Sequence, residues 1–167
     1  MTSSLAEARA ELERGKDILR DLQAREARVD AIVDGLLVVA SSAEAAITER
    51  GGASTYADLF TVLRQAAAKD AWSRKRRDPA PSFDPVEDLE TCRAQDEIVM
   101  RATVDHHIRD VSSYARVATI LKAVSDARDA LLALGEDAAG PCIAALEAAG
   151  FDAFDWLDEE KARSKAP

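Results

Sequence analysis

Apolar residues recur at every seventh position through the first fifty residues, and this repeat constrains the chain more than any other feature. Leu5, Leu12, Leu19, Val33, Ala40 and Ile47 lie on one row, and Ala8, Leu22, Val29, Leu36 and Ala43 on its companion. Glu26 and Gly15 are the two interruptions. A heptad repeat keeps one narrow seam of a helix apolar and does not fit the period of two that a strand needs. Ser3 or Ser4, with Glu7 behind it, reads as a capping box that starts the helix. The expected helix covers about residues 4–50. It is about 70 Å long at 1.5 Å per residue if unbroken, with Gly15 and Gly35 as the places where it would kink or end.

Beyond it, glycine and proline gather at Gly51-Gly52, Pro79–Pro85, Gly135–Pro141 and Gly150, and these breakers mark the expected helix ends. A second helix is expected over about 54–77, capped by Ser54 or Thr55. It carries the stripe Tyr56, Leu59, Phe60, Leu63 and Ala67 and ends in four cations that suit its C-terminal dipole. A proline-rich loop follows at 78–84, anchored by Phe83. Asp84-Pro85-Val86-Glu87 then reads as the start of a second long helix, about 85–134. Its stripe includes Met100, Val104, Ile108, Val111, Ala115, Ala118, Leu121 and Val124. Two short helices, about 141–149 and 152–162, separate at Gly150.

The chain holds 34 alanines in 167 residues and only eight aromatics. That composition suits closely packed helices rather than a sheet. The expectation is a single all-α domain: an elongated antiparallel bundle of two long coiled-coil-like helices, one medium helix and two short C-terminal ones.

The formal net charge of −9 opposes binding to nucleic acid or an anionic membrane over most of the surface. The exception is local, since residues 51–83 carry a net +3. Two cysteines, Cys92 and Cys142, make no disulfide framework and read as reduced thiols of a cytoplasmic protein. The most apolar run, Ala31–Ala40, is interrupted by Asp34 and falls short of the about 20 residues that span a bilayer. No membrane association is expected, and the alanine, arginine and aspartate bias suits a bacterial chain.

Three clusters stand out chemically. His106, His107 and Asp110 are three and four residues apart, the helical spacing at which metal ligands or acid–base partners converge. Neither histidine has a carboxylate three residues before it, as a di-iron bundle requires. Trp72, Arg74, Lys75, Arg76 and Arg77 combine an aromatic with cations, as a nucleic-acid or other polyanion site does. Phe151, Phe154 and Trp156 lie in an acidic segment of the kind that docks in a partner's groove or folds back on its own bundle.

Phosphate-binding glycine loops and the nucleophile-elbow motif are absent from the sequence. No cofactor is implied. The expected function is therefore that of a non-enzymatic interaction module, an adaptor or assembly subunit. It would bind a protein partner or its own kind through Leu12, Leu19, Leu22, Val29, Val33 and Leu36. The alternatives are an accessory subunit that binds nucleic acid or another polyanion through residues 72–77, and a helical metal-binding enzyme using His106 and Asp110.

Overall fold

The computed structural model describes residues 4–135 and 139–166, and every regular element in them is helical. The helices are α1 (Leu5–Glu49), α2 (Ala57–Lys75), α3 (Leu89–Leu134) and α4 (Gly140–Ser164). They pack as two compact units. Residues up to 28 join 78–113 in unit 1, and residues 29–77 join those from 114 onward in unit 2.

The start of α1 follows its sequence. The Glu7 amide donates to Ser4 Oγ at 3.3 Å and the Ser4 amide to Glu7 Oε2 at 2.7 Å, a reciprocal capping box. Ser3 lies outside the described residues. The helix runs unbroken through Gly15 and Gly35. It ends where Gly51 turns left-handed at φ +74°. The Gly52 amide then reaches Ile47 O and the Gly51 amide Thr48 O, both at 3.0 Å, closing a Schellman motif. A Cβ on Gly52 would sit 2.8 Å from Ile47 Cγ2, so this turn needs both glycines.

Three expected boundaries are corrected. The second helix covers Ala57–Lys75 rather than 54–77, and neither Ser54 nor Thr55 caps it: Tyr56 holds that position with no side-chain bond. The third begins at Leu89, not near Pro85, because Asp88 is the working cap: its Oδ1 accepts the Thr91 amide at 2.8 Å. That bond and its neighbours hold the Asp88 carboxyl below its usual range. The two short C-terminal helices are one helix, α4, with Gly150 buried in its interior. Ile143, Leu146, Gly150, Ala153, Trp156 and Leu157 form one continuous buried stripe. Burying that stripe outweighs the helix cost of a single glycine, about 1 kcal/mol.

Unit 2 is a four-helix arrangement around one core. Val33, Leu36, Ile47, Phe60, Val117, Leu131, Leu146 and Trp156 are among its buried residues. Asp34 meets Arg74 and Asp30 meets Arg77, so α2 runs against α1. Glu147 lies by Arg128, and Gly150 packs on Leu121, so α4 runs against α3.

Unit 1 is a helix pair. Arg9 donates to Val86 O at 2.8 Å, Gly15 packs on Val99, and Arg25 pairs with Asp110. Here α1 and α3 therefore advance in the same direction. This is the direction that the first and third helices of a bundle take when successive helices alternate. Ala8, Leu12, Leu19, Cys92 and Val99 form the small core. Phe83, Val86 and Leu89 pack on it. Residues 78–88 run without helix beside α1, with Ala80 and Pro81 near Leu19 and Gln23.

One expectation about membranes changes. In α1 an 18-residue window of mean hydropathy 1.6 is long and apolar enough, by length and composition, to cross a bilayer. Only 28% of that window is buried. A bundle helix that buries a single seam meets the same standard.

Candidate functional site

The charged residues that the sequence scatters along the chain converge in both units. In unit 2 the Asp30 carboxylate is gripped by a fork from Arg77, whose Nη2 donates to Oδ1 at 3.0 Å and whose Nη1 donates to Oδ2. Arg116 Nη2 adds a bond to Oδ1 at 2.7 Å. Asp70, buried on α2, lies 2.7 Å from Arg74 Nε and 3.2 Å from Arg116 Nε. Arg74 also pairs with Asp34 at 2.8 Å. Three carboxylates thus balance three guanidiniums, as partly buried charges must be balanced. Burial pushes the Asp30 carboxyl up. The hydrogen bonds and charges of Arg77, Arg116 and Arg74 outweigh it and hold the group below the usual range. The same carboxylates hold the Arg74 guanidinium above its usual value despite its burial.

In unit 1 the apolar row of α1 is interrupted by Glu26, and α3 answers with His106 and Arg109. His106 Nδ1 lies 2.5 Å from Glu26 Oε2, and Arg109 Nε lies 2.9 Å from Oε1. One turn on, Arg25 Nη2 donates to Asp110 Oδ2 at 2.6 Å. His106 and Asp110 are thus each engaged by a residue of α1, and His107 is exposed. Among the described residues no three histidines, cysteines or carboxylates are grouped to hold a metal ion.

The basic segment is divided. Arg74 and Arg77 face the unit 2 carboxylates, while Trp72, Lys75 and Arg76 are exposed. The Arg76 guanidinium stacks over the Trp72 ring, 4.6 Å from its centre. The C-terminal aromatics divide likewise. Trp156 is buried in the unit 2 core, but Phe151 and Phe154 are exposed. They border a shallow groove of about 190 Å³ with Arg128, Glu147 and Gly150. Leu12 and Leu19 are buried in the unit 1 core; Val29, Val33 and Leu36 are buried in that of unit 2; Leu22 is buried as well. This seam is therefore spent inside the chain.

Both cysteines are free thiols. Burial pushes the Cys142 thiol up, against the pull of the nearby Arg50 charge.

What the chain leaves on its surface is a second apolar stripe. Met100, Val104, Ile108 and Val111 follow one another at helical spacing on α3 and are all exposed. Sequence periodicity does reveal this stripe. It gives no sign that its first half points away from the core, because Cys92 and Val99 already supply an inward face.

Compared with known protein families, with curated proteins and with solved structures, the chain has no significant match.

Proposed function

We propose that this chain is a non-enzymatic helical interaction module, an adaptor or assembly subunit that works by presenting a helix face to another protein in the cytoplasm. The observation that carries this reading is the exposed α3 stripe of Met100, Val104, Ile108 and Val111. Contiguous exposed apolar surface on a helix is costly to keep in water and commonly marks a protein-binding surface. The ionic clusters support the same reading. Their charges are matched carboxylate to guanidinium, an arrangement that orders helices.

The test is a photo-cross-linking residue placed at Val104 and, as control, at the exposed Lys122 of the same helix. A discrete cross-linked protein at position 104 and none at 122 is the expected result. No product at 104, or the same products at both positions, overturns the reading.

A second reading has one observation in its favour. The exposed Trp72, Lys75 and Arg76 form an aromatic–cationic surface to which a polyanion can bind. With Arg74 and Arg77 turned to aspartates, it has fewer cations than the sequence offers.

A further inference from the structure

At 3.6 residues per turn, a shift of eighteen residues, about five turns, returns to the same angular position on a helix. Met100, Val104, Ile108 and Val111 map in this way onto Ala118, Lys122, Asp126 and Asp129. In unit 2 that face carries three exposed charged residues. In unit 1 it carries four large apolar side chains, 59%, 54%, 62% and 68% exposed. The fold of α3 therefore does not require an apolar outer face.

We infer that the Met100–Val111 face of α3 docks on the same face of a second copy of this chain, forming a two-fold dimer. The inference rests on the interaction reading above and names its partner. A two-fold contact uses one patch twice, so a single stripe is sufficient. The four side chains expose on the order of 400 Å² of apolar surface, the size at which a monomer's patch is commonly functional. Two such faces and their flanks approach the about 1,200 Å² at the low end of specific interfaces.

Charge selects the occupant. The exposed residues Glu90, Arg93, Glu97, Arg101 and Asp105 on and beside this face alternate in sign and sum to −1, and Glu97 and Arg101 pair with each other at 2.5 Å. A chain of net charge −9 repels its own copies over most of its surface, but at this face it meets little net charge. A strongly acidic or basic partner would find nothing to match here.

The full chain is examined by sedimentation equilibrium over roughly 1–50 µM, the range in which a modest interface is populated. The expected species has twice the 18.0 kDa chain mass. Val104→Asp with Ile108→Asp should weaken association by about 100-fold or more at unchanged helix content, since neither side chain is buried. Val104→Ile and Lys122→Glu should stay dimeric. Should the double variant lose helix content, Met100→Lys is read in its place. A monomeric wild type, or a dimer indifferent to these changes, overturns the inference. A monomer that still cross-links to a different protein through position 104 sinks only the second copy as partner. A monomer that cross-links to nothing there sinks the interaction reading too.

Discussion

Residues 29–47 of α1 and 117–131 of α3 share a core of 22 buried residues, to which all four helices contribute. Residues 8–19 of α1 and 92–99 of α3 share a core of five, completed by an extended segment in place of further helices. The same two helices are thus held by different means along their length. Where neighbours are many, the outer face of α3 is charged; where they are few, it is apolar. A helix's sequence sets how many apolar faces it has, and the number of neighbours decides how many of them are buried.

The largest effects test the two cores against each other. Leu131 and Leu12 are both fully buried, and each truncation to Ala should cost about 2–5 kcal/mol. Leu131→Ala should lower amide protection throughout α2, α4 and the second halves of α1 and α3. Leu12→Ala should lower it in residues 5–28 and 89–113 and spare α4. Equal loss in α4 from both variants would break the comparison.

The ionic cluster of unit 2 gives a smaller, pH-dependent effect. Asp30 is held below the ordinary aspartate value of about 3.9. Its contribution is therefore full above that value and is lost as pH falls through the depressed one. Asp30→Asn should cost about 1–3 kcal/mol near pH 7, allowing for partial exposure. It should also flatten the fall in urea midpoint between pH 5 and pH 2. A variant as acid-sensitive as the parent would show that other groups carry the dependence.

The smallest effects come from two helical glycines. A Cβ at Gly150 would lie 3.7 Å from Leu121, an ordinary contact, so Gly150→Ala should stabilise unit 2 by about 0.5–1 kcal/mol. A Cβ at Gly15 would lie 3.0 Å from Val99 Cγ1, and Gly15→Ala should gain less or nothing. Equal rises in melting temperature would show that unit 1 yields where this packing says it is tight.

Much of this was legible beforehand. Of the eleven apolar heptad residues of α1, ten are buried, and Leu5 packs partly buried on the unit 1 core. The two interruptions were informative too: Gly15 marks the close approach to Val99, and Glu26 marks the polar contact with His106 and Arg109. Gly150 misled because a glycine ends a helix only when nothing is gained by continuing, and here Ala153, Trp156 and Leu157 lie beyond it. Asp84-Pro85 misled because a good cap sequence is a local preference. Arg9 holds the Val86 carbonyl and Gln95 Nε2 donates to the Asp84 carbonyl at 2.9 Å, which keeps that stretch extended until Asp88. The pairing of Arg74, Arg77 and Arg116 with Asp30 and Asp70 links residues far apart in the chain, and no local spacing encodes it.

The extended segment of unit 1 also acts as a measure of length. An extended chain advances about 3.3 Å per residue and a helix 1.5 Å, so the few residues from Pro81 to Val86 keep pace with about twice as many of α1. Little slack remains between Pro81, beside Leu19, and the Val86 carbonyl at Arg9. Deleting one residue would pull Phe83 or Val86 off the helix pair, whereas an added residue can loop outward at small cost. The segment is therefore tolerant of what its residues are and strict about how few they can be.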